Sequence, residues 1–139
     1  MAVTVSPDLS DLQLAVMRVL WDRGEASAAE VQLAMKRSRP LAITTVSTLL
    51  ARLEKKGIVS HRSAGRTFVY QARVSELDMR CKAISGVIRN LFRGNPSEVV
   101  GQILSENDVS ADDLARMRSM IADARSAERR KSRSKRDAR

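Results

Sequence analysis

Between Ile43 and Ala72 the spacing of apolar residues switches from a helical period to a strand period, and that switch leaves few folds open to this chain. In ITTVSTLLARLEKKG, Val46, Leu49, Leu50 and Leu53 fall at i, i+3, i+4 and i+7, one face of an α-helix, and Gly57 supplies the stop. The next two runs, IVSHR and TFVYQAR, are rich in β-branched and aromatic residues with period-two character. Joined by Ser63-Ala64-Gly65-Arg66, they read as a β-hairpin with glycine in its turn. Two helices precede this unit. SDLQLAVMRVLWDRG places Leu12, Val16, Met17, Leu20 and Trp21 on one face and ends at Gly24, which predicts a helix over 10–23. Ser27 and Glu30 have capping-box spacing, so a second helix is expected over about 28–37, stopping before Pro40. Trp21, the methionines at helical apolar positions and the alternating Phe68 and Tyr70 are expected in the core.

From Ser75 onward the helical period returns. Leu77, Cys81, Ile84, Ile88 and Leu91 are spaced 4, 3, 4, 3, as in a coiled-coil seam, with Cys81 read as a small buried hydrophobe. Asn95-Pro96 opens a shorter helix that carries Val100 and Leu104. Ser110 and Asp113 open a last one with Leu114, Met117 and Ile121. About 50 residues of amphipathic helix are too few for a separate core, so these ten side chains are expected to form a homodimer interface.

The charge is unevenly distributed. The 139 residues carry a formal net charge of +9, with 25 Lys+Arg against 16 Asp+Glu, and nearly all of the excess falls in two blocks. Residues 36–73 hold nine basic residues and one acid, and residues 125–139 hold eight and two. The first block is foldable and points to a polyanionic partner, nucleic acid before membrane; the second lacks apolar residues and is expected to be a disordered basic tail. Only 3% of the residues are aromatic, too few for a single-strand stacking platform. One His, one Cys and scattered acids assemble neither a metal site nor a catalytic triad, so no cofactor, no metal and no enzyme activity are expected. No leader pattern and no apolar run of about 18 residues are present, which gives an expectation of a cytoplasmic protein without membrane insertion.

Three helices followed by a two-stranded wing match the winged variant of helix-turn-helix, whose third helix enters the major groove. The expected fold is mainly α with a small β wing: a winged helix-turn-helix DNA-binding domain at 1–74, a three-helix dimerisation domain at 75–125 and the tail at 126–139. Thr44, Thr45, Ser47 and Thr48 are candidates for base readout, because short hydroxyl side chains let a helix approach closely and their methyl groups meet thymine methyls. Arg52, Lys55, Lys56, Arg62 and Arg66 are candidates for phosphate contact, and Ser27 is one through the backbone amides at the start of the second helix. The rival reading is a nucleoid-type coating protein that binds DNA without reading sequence.

The stretches LQLAVMRVLWDRGEASAAEV, TTVSTLLARLEKKGIV and RTFVYQARV resemble the penicillinase-repressor group (BlaI, MecI, CopY) of bacterial transcriptional repressors. The resemblance implies a homodimer on dyad-symmetric operators, with DNA contacts on Thr44, Thr45, Ser47 and Thr48, and admits an inducing membrane sensor or protease as a further partner. Two features depart from the group. The cysteine cluster of its copper-sensing branch is absent, and Val100 to Ile103 read Val-Gly-Gln-Ile where the β-lactam branch carries a cleaved Asn-Phe bond.

Overall fold

A computed structural model describes residues 9–106 and 108–138. Residues 1–8, at the start of the expected DNA-binding domain, and Arg139, in the expected tail, lie outside them, as does Asn107. The described residues form two compact units, divided between Gly94 and Asn95.

In the first unit, α1 (Asp11–Arg23), α2 (Ala28–Met35) and α3 (Ile43–Lys55) are followed by β2 (Val59–Ala64), β3 (Thr67–Ala72) and α4 (Glu76–Leu91). The capping box expected at the second helix is present, and the first helix carries one as well. Ser10 and Gln13 close a capping box on α1, and Ser27 and Glu30 close one on α2. Val46, Leu49, Leu50 and Leu53 of α3 are buried together with Val16, Met17 and Leu20 of α1 and Val31 and Met35 of α2. Gly57 ends α3 in a Schellman arrangement. Its φ is 80°, its N–H donates to the Glu54 carbonyl at 2.9 Å, and the Ile58 N–H donates to the Leu53 carbonyl at 3.0 Å. Leu53 and Ile58 are both in the core, so the helix end and the start of the wing are clamped by one apolar contact.

Sequence reasoning missed a strand. Ala26–Ser27 form β1, which pairs antiparallel with β3 (Ala26 with Tyr70, Ser27 with Val69), giving a three-stranded sheet in the order β1-β3-β2. The hairpin turn is tighter than expected, since Ala64 pairs with Thr67 and only Gly65 and Arg66 lie between. Of these two, only Gly65 has positive φ (67°), the requirement of a type II′ turn. Tyr70 is buried as expected, whereas Phe68, on the same face of β3 but two residues nearer the turn, is 51% exposed, because it pairs with Ser63 at the tip of the hairpin, past the end of the core.

The helix α4 belongs to the first unit, although the sequence reading put the boundary at residue 74. Two contacts account for this. The Trp21 indole N–H donates to the Val74 carbonyl at 2.9 Å, and Met79 is buried in the core that α1, α2 and α3 build. The second unit contains α5 (Pro96–Glu106) and α6 (Ala111–Asp137), the latter capped by Ser110. The residues expected to be a disordered tail are instead the second half of α6, helical through Asp137. The reason is local: residues 124–137 are Ala, Arg, Lys, Glu, Ser and Asp with no Gly or Pro, and Ala, Arg, Lys and Glu are strong helix formers.

Candidate nucleic-acid interface

With its apolar face buried, α3 turns the rest of its circumference outward. Thr44, Thr45, Ser47, Thr48, Ala51, Arg52 and Lys55 are all exposed. At about 100° per residue, the line opposite the core face runs Thr44, Thr48, Ala51, Lys55, with Thr45 and Arg52 on one flank and Ser47 on the other. All four expected readout residues therefore share one accessible surface. The Thr48 hydroxyl donates to the Thr44 carbonyl at 2.9 Å, which turns its hydrogen along the helix and leaves its lone pairs and methyl group for an incoming molecule. Ala51 was not singled out from the sequence. Its place on the outward line between Thr48 and Lys55 gives close approach and a methyl group, and the helical period alone would have found it.

The turn before α3 is fixed from both sides. The Gln32 side-chain amide donates to the Leu41 carbonyl at 2.9 Å, and the Arg39 N–H donates to the Met35 carbonyl at 2.8 Å, holding α2 and α3 at their mutual angle. Lys36, Arg37 and Arg39 are exposed on this turn. They lie between the last residue of α2 and the first of α3. Serine side chains cap α1, α2, α4 and α6, whereas the N-cap of α3 is Ala42, which makes no side-chain cap. The first-turn amides of α3 thus keep their donor capacity where a recognition helix meets DNA.

The expected phosphate contacts separate into three kinds. Arg52, Lys55 and Arg66 are exposed, and Arg66 lies in the wing turn. Lys56 is exposed as the C-cap residue of α3. Arg62 is exposed but bridges to Glu25 at 2.8 Å, so its charge is already partly answered. The Ser27 expectation is corrected. Its Oγ accepts the Glu30 N–H at 3.2 Å, its own N–H donates to Glu30 Oε1 at 2.9 Å, and the residue is buried beneath β3 pairing. The Ser27 amide and hydroxyl are thus both engaged by Glu30 within the cap. Hydrogen bonds from the Ser27 backbone and side chain, helped by Arg23 at 3.1 Å, lower the pKa of Glu30 below its ordinary value, so its charge persists further into acid than that of a free carboxylate.

His61 Nδ1 sits 2.7 Å from a Glu54 carboxylate oxygen, and its ring lies 4.4 Å from that of Phe68. These contacts tie the wing to α3 and make His61 a bracing residue. Cys81, expected to be buried, is exposed in the single chain. Around it Leu77, Ile84 and Leu91 are exposed as well, Leu77 by 66% and Leu91 by 75%, and Ile88 is half-buried. The seam exists in the sequence and on α4, and among the described residues it stays largely exposed. Val100, Leu104, Leu114 and Ile121 of the second unit are exposed too, with Met117 half-buried.

Residues 9–123 match the penicillinase repressor family, 115 positions of the 139. The chain belongs to this family. It is 28% identical over 108 residues to the penicillinase repressor of Bacillus licheniformis, spanning 78% of this chain and 84% of that protein. It is 25% identical over 114 residues to the methicillin resistance regulatory protein MecI of Mammaliicoccus sciuri, spanning 82% and 93%. Among solved structures it is similar to the DNA-binding domain of the repressor BlaI, at 34% identity over 55% of this chain and 93% of that one, with a TM-score of 0.48. Family membership makes the protein a sequence-specific DNA-binding transcriptional repressor with a winged helix. Residues 124–139 extend past the family match. Among the described residues no helix is long and apolar enough to cross a membrane, and no group of three or more His, Cys, Asp or Glu is placed to hold a metal ion.

Proposed function

We propose that this family member represses transcription as a homodimer, each protomer laying α3 in the major groove of one half of a dyad-symmetric operator. The observation that carries the reading is the outward line Thr44, Thr48, Ala51 and Lys55, flanked by Thr45, Arg52 and Ser47, on a helix whose opposite face is fully committed to the core. Thr44, Thr45, Ser47 and Thr48 touch base edges. Arg52, Lys55, Lys56 and Arg66, with Lys36, Arg37 and Arg39 of the turn, meet phosphates on either side. Arg62 contributes less, because Glu25 competes for it.

The dimer is supported by the apolar side chains left uncovered in one chain, eight of the ten expected interface residues being exposed and the other two half-buried. A two-fold axis would set two copies of α3 one helical turn of DNA, about 34–36 Å, or a multiple apart. Selection of bound fragments from the source genome with purified protein tests this directly. One recurring motif with an internal dyad is the expected result. Equal recovery of all sequences would replace the reading with a DNA-coating protein.

A further inference from the structure

The second half of α6 lies outside the family match and carries most of the net charge of the molecule. Residues 124–139 hold eight basic residues and two acids. As helix, this segment has faces, and the faces differ. At about 100° per residue, Arg118, Arg125, Arg129, Arg133 and Arg136 fall within an arc of about 80°. That arc continues the line of Ala111, Ala115 and Ala122 and contains no Asp or Glu. All five arginines are exposed, and none makes an ion pair among the described residues, where the α6 pair is Arg116 with Asp113. From Arg118 to Arg136 the stripe is about 27 Å long at 1.5 Å per residue.

We infer that this arginine stripe is a second DNA-binding surface, which lays α6 along the sugar-phosphate backbone of duplex DNA. The inference rests on the proposed function for its choice of polyanion. Three observations favour duplex DNA. Arginine, which binds phosphate through two parallel N–H groups, fills every charged position of the stripe, while Lys131 and Lys135 lie on other sides of the helix. The stripe is straight and long enough to follow several phosphates, each strand carrying one charge per about 3.4 Å of axis. An anionic membrane would favour a large apolar face beside the charges, and beyond Ile121 the helix has no Leu, Ile, Val, Met or aromatic residue.

The test compares two variants of the full chain. Arg125→Gln, Arg129→Gln, Arg133→Gln and Arg136→Gln together remove most of the stripe; Arg130→Gln, Lys131→Gln and Lys135→Gln remove charge from the other sides. Glutamine keeps helix propensity close to that of Arg and Lys, and circular dichroism checks that helicity is retained. Replacing the same four arginines by lysine keeps the charge if the glutamine variant loses helix. Affinities for an operator and for a random duplex are measured across salt concentrations. The stripe variant is expected to flatten the slope of log K against log salt by about 3–4 per chain, at about 0.9 for each phosphate that is no longer neutralised. Both affinities should fall together with their ratio unchanged, the lysine variant should keep the slope, and the off-stripe variant should change it by less than about one.

An unchanged slope in the stripe variant overturns the inference, and so do equal losses per charge removed in the two variants. Loss of binding to phosphatidylglycerol vesicles with DNA binding intact assigns the stripe to a membrane and overturns it too. If the parent chain shows no operator preference, the proposed function fails while the random-duplex slopes still judge the stripe.

Discussion

At the scale of one residue, the base contact proposed for Thr48 predicts a separation of specificity from affinity. Its hydrogen bond to the Thr44 carbonyl is local and replaceable, and its side chain supports no part of the core. Thr48→Ala should therefore leave the thermal midpoint unchanged or slightly raised, since Ala has the higher helix propensity. Operator preference should fall by about 1–3 kcal/mol of discrimination, with random-DNA affinity nearly constant. Competition binding with both DNAs checks this, and a variant that unfolds or discriminates like the parent would show that the readout surface lies elsewhere. Arg52→Ala should do the opposite, weakening all duplexes and flattening the salt slope by about one per chain.

Glu30 offers a second single-residue prediction. Its pKa is lowered from 4.5, first by the hydrogen bond from the Ser27 backbone. A carboxylate depressed in the folded state contributes stability that is complete above the unfolded pKa and lost as pH falls through the folded one. Between these two values Glu30→Gln, which cannot titrate, should lose less thermal midpoint per pH step than the parent. Parallel slopes in a pH series of melting curves would remove Glu30 from the acid response.

Among the elements, the junction of α3 with the wing is the most finely specified. Gly57 must hold φ at 80° for Leu53 and Ile58 to close the Schellman clamp. A methyl group added there meets no other atom within 4 Å, so the cost of Gly57→Ala is the left-handed backbone alone, about 1–2 kcal/mol. Urea unfolding should show that loss in midpoint with no change in slope, and a neutral result would mean that the wing tolerates another path out of α3. This junction was legible in the sequence because a stop glycine and a change of period are local signals. The four buried residues of α3 and the capping box of α2 were legible for the same reason. What the sequence hid was short or distant. β1 is two residues, too brief for any periodicity, and it turns Ser27 from an expected phosphate ligand into a buried strand-and-cap residue. The indole bond from Trp21 to Val74 spans 53 positions, so the membership of α4 in the first unit could not be read from spacing. The second half of α6 was misread because an absence of apolar residues was equated with disorder, although every one of its residues is compatible with helix.

For the whole molecule, the decisive quantity is the apolar surface that one chain leaves open. Leu77, Ile84 and Leu91 repeat along one line of α4, and all three are exposed among the described residues. Fully burying an exposed Leu or Ile side chain contributes about 1.5–3 kcal/mol, and the share of that gain still open to these partly exposed residues, counted twice by symmetry, works in favour of pairing against the cost of ordering two chains. Ile84→Asp places an unpaired charge in that seam. Because Ile84 is 46% exposed in the single chain and outside the core cluster, the protomer should stay folded while the dimer is lost. Sedimentation equilibrium at micromolar concentration should give a dimer for the parent and a monomer for the variant, with unchanged far-UV circular dichroism. Operator affinity should then fall steeply, because two half-sites are no longer tied together, while the half-site preference set by Thr44, Thr45, Ser47 and Thr48 survives. A parent that sediments as a monomer would overturn the homodimer, and a variant that stays dimeric would place the two-fold contact somewhere other than α4.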